Sequence, residues 1–336
     1  MCSINFAFIP MNFIPVIRIL LTIAGMLFLP HCASSQSVPD FTKIRLEDNE
    51  LHSFDGDVFP YTAWMPKKEP KVVIIGVHGI SGAASDYQPL GDHLLSDMPG
   101  VAVYAAETRG QGNDPIKERR GHISDRNDWF KDLVSFTHLI RKKHPTAKII
   151  WCGESMGSLI VLHTYAHATQ RDELCDAMIL ASPITDIRGD FPKWKEGMAN
   201  TLAALFPKAR ISLETLSGQD EVHVTRDSVH EEQAAKNPYH IERHTFHLLS
   251  TLGKMMRSAN EAGKKLDLPV LILHGGNDVF SDPQDVIRFT KNLPKAATPT
   301  RKFYPESYHL LFHDHQSDLV ISDITKWLKG LEDPAK

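Results

Sequence analysis

Apolar positions along this chain fall into two regimes. Five short stretches are almost continuously apolar: Lys71–His78 (KVVIIGVH), Val101–Ala106, Lys148–Cys152, Ala177–Ala181 and Pro269–His274. Runs of this length, rich in β-branched residues and bounded by turn residues, predict strands covered on both faces, as in a parallel sheet. Between them apolar residues recur at helical spacing: Tyr87–Leu95, Trp129–Ile140 (through Trp129, Phe130, Leu133, Phe136, Leu139 and Ile140), Leu159–Ala168 and Val286–Leu293. Strand and helix alternate, which predicts an α/β architecture with helices on both faces of a mostly parallel sheet. Asp40–Glu47 and Phe54–Met65 add an opening antiparallel pair, separated by turn residues Asp55 and Gly56. Thr300–Tyr304 adds a last short strand, making eight, and Ser317–Leu331 a closing amphipathic helix.

Two segments break this rhythm. Residues 184–266 hold no buried strand run but several helical patterns, one of them through Ile241, Leu248, Leu249, Leu252, Met255 and Met256. The expectation is a helical cap inserted between core segments 40–183 and 267–332, with one face buried on the core and room to line an apolar groove. At the other end, Arg18 precedes an apolar run of eleven residues, Ile19–Leu29, followed by small and polar residues from Ala33 to Ser37. That run is too short to span a bilayer and has the layout of a secretory signal over residues 1–35. Cleavage after Ser35 places Ala33 and Ser35 at the small-residue positions. The alternative is lipoprotein-type processing before Cys32, although Pro30 and His31 are unlike the usual small residues there. Met11 is an alternative start, since the ten residues before it carry no charge. Export to a periplasmic or extracellular location is expected, with Cys32 as the lipid-anchor position in the second case.

Composition narrows the partner. A chain of 336 residues, 42% hydrophobic and 23% charged, is ordinary for a folded protein. Its formal net charge of −4 provides no field to gather a phosphate backbone, so nucleic-acid binding has no electrostatic support. The expected partner is a small neutral or weakly charged molecule. Two of the four cysteines lie in the leader; Cys152 and Cys175 flank adjacent predicted parallel strands, which would hold them beyond the ~7 Å Cα limit for a disulfide.

The chemistry concentrates at strand ends. Gly153-Glu154-Ser155-Met156-Gly157 follows directly on the strand KIIWC and opens the helix SLIVLHTYAHA. A serine at a helix start often serves only as a cap, but a cap needs neither a buried strand before it nor glycines on both sides. A nucleophile on a sharp strand-to-helix turn needs both. Serine also needs a base, and the base an orienting carboxylate, in the chain order serine, acid, histidine. Asp278 ends PVLILHGGND, where an open α/β sheet places its ligands. His309 follows the last short strand, with Leu310, Leu311 and Phe312 able to pin it. His313 and His315 are nearby competitors, and His309, His313 and Asp314 would be a metal set on paper. Two backbone donors are needed for a developing oxyanion: Met156 N–H, and Ile80 N–H in the loop after KVVIIGVHG.

Together HGISG, ETRGQG, GESMGS, HGGND and His309, each after its strand, resemble the monoacylglycerol lipase and lysophospholipase family of the α/β-hydrolases, over about residues 40–332. The resemblance implies an α/β-hydrolase fold with Ser155, Asp278 and His309 as triad, Ile80 and Met156 as oxyanion donors, residues 184–266 as a lid over an acyl groove, and a structural Arg109. It implies a mono-acyl lipid ester as substrate, no metal or organic cofactor, and peripheral membrane contact through the cap; oligomeric state is left open. Two departures stand out: Glu107 where the family loop usually begins with Asp, and a cap sequence (RISLETLSGQDEVHVTRD) that matches only loosely. Rival readings are an aminopeptidase or thioesterase with the same triad, and a non-catalytic binding module that kept the fold, although such modules typically lose part of the triad. Dehalogenase and epoxide-hydrolase chemistry would need a carboxylate at the position of Ser155.

Overall fold

The five apolar runs lie side by side in a nine-stranded sheet in the computed structural model, which describes residues 42–171, 173–187, 193–213, 215, 224, 225 and 239–332. The leader expected over residues 1–35 is outside the described residues. Strands β1 (Arg45–Glu47), β2 (Glu50–His52), β3 (Val58–Trp64), β4 (Val72–Val77), β5 (Val101–Ala106), β6 (Lys148–Glu154) and β7 (Ala177–Ala181) precede a small two-stranded ladder of β8 (Arg210–Ile211) and β9 (His244–Thr245). β10 (Val270–Gly275) and β11 (Thr300–Tyr304) complete the main sheet, whose order is β1-β2-β3-β5-β4-β6-β7-β10-β11. From β5 to β11 neighbouring strands are parallel; β1, β2 and β3 pair antiparallel, as does β3 with β5.

The expected opening pair of an eight-stranded sheet is instead a three-stranded meander. Asp48 and Asn49 form a two-residue turn between Glu47 and Glu50, with Asn49 at φ 62°, a left-handed conformation that asparagine tolerates better than most residues. The extra strand, Glu50–His52, lies between the two runs read from the sequence.

Helices α1 (Gln88–Asp97), α2 (Arg126–Lys143), α3 (Met156–His167), α4 (Lys193–Leu205), α5 (Phe246–Gly263), α6 (Pro283–Asn292) and α7 (Ser317–Glu332) cover the sheet and fill the insertion. The two-residue period of β4 shows how: Val73 and Ile75 join the core beneath α2, α3, α5 and α6, whereas Val72 and Ile74 join the one beneath α1 and α7. α3 is buried on every side from Met156 to Ala166, which explains why its sequence shows little amphipathic contrast. Between β7 and β10 the described residues hold α4, the β8–β9 ladder and α5, whose amide at Leu248 is capped by the Thr245 hydroxyl. Cys152 and Cys175 are buried and unpaired.

Arg109 organises the long loop after β5. Its guanidinium grips Asp132 of α2 with two hydrogen bonds, at 2.7 and 2.8 Å, and reaches Asp57 at 2.6 Å and Asp55 at 3.1 Å in the β2–β3 turn. Burial alone would discourage the charge, but the bonds and charges of Asp132 and Asp55 reverse that and raise its pKa above the ordinary arginine value. The Arg109 carbonyl accepts the indole N–H of Trp129 at 2.9 Å, so one residue clamps the loop to α2 twice. Removing one side of such a buried network leaves carboxylates without their counter-charge. Arg109→Ala should therefore lower unfolding free energy by about 3–5 kcal/mol, and Arg109→Lys should recover only part of it because ammonium cannot make the two-pronged contact. Urea denaturation followed by tryptophan fluorescence measures both.

Candidate active site

β6 ends at Glu154, and the chain reverses into α3 through Ser155, whose φ of 55° and ψ of −116° are rare for an L-residue. Holding such a conformation costs on the order of 1–3 kcal/mol, supplied by the surroundings. The Ser155 amide donates to the Ala181 carbonyl (3.0 Å), and the Ser158 hydroxyl contacts the carbonyls of Gly153 (2.7 Å) and Ala181 (3.0 Å). The flanking glycines are required by space. A Cβ on Gly157 would stand 1.8 Å from the Val77 carbonyl oxygen, and one on Gly153 2.4 Å from the Gly157 oxygen.

At this turn the structure brings together the three side chains expected from the sequence. Ser155 Oγ lies 2.7 Å from His309 Nε2, and His309 Nδ1 lies 2.8 Å from Asp278 Oδ2. All three are buried. Asp278 accepts the amides of Phe280 (2.8 Å) and Ser281 (3.2 Å) on Oδ1 and the Ser281 hydroxyl (3.0 Å) on Oδ2. A carboxylate surrounded by donors stays ionised. Burial pulls the Asp278 pKa upward, but the His309 charge and hydrogen bond, helped by His274, more than offset it, so the net displacement is downward. An ionised Asp278 fixes the imidazole proton on Nδ1 and leaves Nε2 free to receive the serine proton.

The histidine is held from several sides. Its carbonyl accepts the Ser182 hydroxyl (2.5 Å), its amide donates to the Val224 carbonyl (3.0 Å), and the Phe280 ring stands edge-on to the imidazole, centroids 4.8 Å apart. His313 turns instead to the Asp86 carbonyl (3.0 Å), while both ring nitrogens of His309 are engaged with Ser155 and Asp278, so the alternative metal set is not assembled.

Met156 follows the serine in the chain, whereas Ile80 lies in the loop after β4. Met156 is the first residue of α3, where amides lack an intrahelical partner. The loop carrying Ile80 approaches the nucleophile at Gly79, on which a Cβ would stand 3.2 Å from Ser155 Cβ. His78 orients that peptide: the Thr108 amide donates to His78 Nε2 (2.9 Å), so Nδ1 carries the hydrogen and donates to the Gly79 carbonyl (3.0 Å). The Gly82 amide donates to the same carbonyl (3.2 Å). With the carbonyl of this trans peptide pinned inside the loop, its N–H, that of Ile80, points the opposite way. His78, Gln111, Ser81, Ser182, Ser281 and His274 all support the site, and sequence reasoning missed them. His78 and His274 had a signal, each being the His of an HG pair at the end of a buried strand. Ser81 and Gln111 lie within HGISG and ETRGQG, whereas Ser182 and Ser281 had no such signal.

A strand-turn-helix serine, bonded to a histidine and a carboxylate from later loops of the same parallel sheet, defines the molecule as an α/β-hydrolase. Residues 68–316 match the family model described as serine aminopeptidase, S33, and the chain belongs to that family. It is similar to the monoacylglycerol lipase of Mycolicibacterium smegmatis, 26% identical over 283 residues covering 82% of this chain and 96% of the relative. It is also similar to the monoglyceride lipase of Saccharomyces cerevisiae, 24% identical over 297 residues covering 83% and 92%. Among solved structures, a soluble variant of the S. cerevisiae monoglyceride lipase in complex with a substrate analog superposes with a TM-score of 0.71 at 22% identity, over 88% of this chain and 96% of that one. A thermostable carboxyl esterase from Bacillus coagulans in complex with glycerol gives 0.70 at 18% identity, over 84% and 98%.

Glu154, beside the nucleophile, was not singled out by its sequence. It is buried, its Oε1 has no hydrogen-bond partner among the described residues, and burial together with the nearby Asp86 charge pushes its pKa well above the ordinary carboxyl value. The folded protein therefore holds a proton on Glu154 that the unfolded chain releases above about pH 4.3. Stability from this group is complete below that pH and declines as pH rises towards the folded pKa. Glu154→Gln, which cannot titrate, should gain on the parent by a few degrees in Tm between pH 4 and pH 8, read by thermal melts at both.

Proposed function

We propose that this protein is a serine esterase that hydrolyses the ester of a mono-acyl lipid, a monoacylglycerol or a lysophospholipid, through an acyl-enzyme on Ser155. The observation that carries the reading is the unbroken hydrogen-bond chain Ser155–His309–Asp278 at a strained turn, in a chain that aligns over most of its length with monoacylglycerol lipases.

The Ser155 oxygen attacks the ester carbonyl carbon while His309 Nε2 takes the hydroxyl proton, and the amides of Ile80 and Met156 bind the oxyanion. On collapse the carbon–oxygen bond to the alcohol breaks and the imidazolium returns its proton to the leaving oxygen. Water then attacks the acyl-enzyme with His309 again as base, releasing the fatty acid and restoring the serine hydroxyl. Asp278 holds the imidazole and balances its transient charge. The insertion between residues 184 and 266 serves as the cap, with the α/β core in residues 40–183 and 267–332. The leader supports export, by cleavage after Ser35 or by lipid attachment at Cys32.

Peripheral membrane contact fits one face of the cap. On α4 the side chains of Trp194, Met198 and Leu205 fall within about 40° of arc, and Phe206 follows directly. Trp194 and Leu205 are each 66% exposed and Phe206 59%, an apolar stripe without a partner among the described residues. Lys208 and Arg243 are exposed next to it, and among the described residues the guanidiniums of Arg210 and Arg243 bond to backbone carbonyls, which leaves their charge for anionic headgroups. No helix among the described residues is long and apolar enough to cross a membrane.

Ser155→Ala should lower kcat on monoacylglycerol by roughly a million-fold. Parallel assays on lysophosphatidylcholine, acyl-thioesters and aminoacyl-anilides rank the substrate classes; faster turnover of an anilide than of any ester would replace this reading by the aminopeptidase one. In a separate test, the double variant Trp194→Ser, Phe206→Ser should bind vesicles of phosphatidylcholine and phosphatidylglycerol at least about tenfold more weakly than the parent by co-sedimentation, with hydrolysis of a soluble short-chain ester unchanged.

A further inference from the structure

Ser81, one residue beyond Ile80, has φ 59°. A left-handed serine with no turn glycine in its place calls for contacts that over-determine it, and three are present. Its amide donates to Gln111 Oε1 (2.9 Å), its hydroxyl donates to the Ile241 carbonyl (3.0 Å), and the same oxygen lies 3.1 Å from His244 Nε2. With the hydroxyl proton committed to Ile241, the oxygen is left to accept from His244 Nε2–H.

The two ends of this contact belong to different parts of the molecule. Gln111 is buried in the loop after β5, which also fixes the oxyanion loop through Glu107, whose Oε1 accepts the Ala84 amide at 3.2 Å. Ile241 and His244 belong to the insertion. His244 is in β9, buried, and adjoins Thr245, the residue that caps α5 and donates its amide to the Gly121 carbonyl (2.9 Å). The stretch 241–245 thus carries α5 at one end and touches the oxyanion loop at the other.

We infer that Ser81 is a positioning residue that latches the oxyanion loop, the stretch after β4 that carries Ile80, to the insertion, so that the Ile80 amide, oriented through His78 and Gly82, is fully fixed while residues 241–244 are seated. The inference rests on the proposed esterase reading and deepens it. Seating of the cap then sets the competence of the oxyanion hole. Because the amide is needed most when charge develops on the substrate oxygen, loosening the latch slows the chemical step and leaves ground-state binding nearly unchanged.

The test is steady-state hydrolysis of p-nitrophenyl butyrate by the full chain and by Ser81→Ala, Ser81→Gly, His244→Ala and the Ser81→Gly, His244→Ala double variant, each with a thermal melt. Ser81→Gly relieves the left-handed backbone while deleting the hydroxyl, so it separates strain from latch. The expected result is a fall in kcat of about 10- to 100-fold for each single variant, with KM within about twofold, and a parallel fall in the rate constant for inactivation by a fluorophosphonate. The double variant should be no slower than Ser81→Gly, because that change already removes the Ser81–His244 contact along with the bond to the Ile241 carbonyl. Parental kcat in Ser81→Gly, or kcat losses that multiply in the double variant, would overturn the latch. Ser155→Ala run alongside keeps the two ideas apart: residual turnover there defeats the esterase assignment, whereas an inert Ser155→Ala with fully active Ser81 variants defeats only the latch.

Discussion

The backbone at Ser155 sits where an L-residue does not stay unless it is held, and the placing of the hydroxyl against His309 depends on that one constraint. What holds it is the sheet. Ala181 at the end of β7 takes the serine amide, Ser158 ties the start of α3 to Gly153 and Ala181, and the absent side chain of Gly157 lets the helix approach the Val77 carbonyl at the end of β4. The register of three parallel strands therefore fixes where the hydroxyl points. Mispacking of the central strands would reach the chemistry before it reached the surface.

The parts legible in the sequence were those with a local physical signature. Uninterrupted apolar runs marked the buried parallel strands, and Val101–Ala106, Ala177–Ala181 and Thr300–Tyr304 form over those same residues. Ser155, Asp278 and His309 could be picked out because each follows a strand at the edge where such sheets collect their ligands. β6 runs two residues beyond its expected end because Gly153 and Glu154, poor strand formers in isolation, are paired to Leu180 and Ala181 of the neighbouring strand. The β1–β2 turn was missed because two ordinary residues, Asp48 and Asn49, suffice to make it.

The long-range contacts left no local trace. Ser81 reaches His244 across 163 positions, and Ser182 reaches the His309 carbonyl across 127. Serine, glutamine and histidine occur everywhere on surfaces, and only tertiary contact gives these copies their use. Arg109 was legible as structural through the family resemblance alone, since its partners are not local: the carboxylates around it come from the β2–β3 turn and from α2. The insertion likewise touches both sides of the site, through Val224 at the histidine loop and through Ile241 and His244 at the loop after β4.

α3 carries the serine at its first turn and has no wet face: residues 156–166 are all enclosed. A helix so confined cannot acquire a charge, a larger side chain or a new partner at any position without disturbing the neighbours that aim the nucleophile. Substitution is thereby tolerated better away from the reacting atoms, as in the stretch between β7 and β10, where α4 presents open apolar surface. New specificity can arise there while the reaction centre stays as it is.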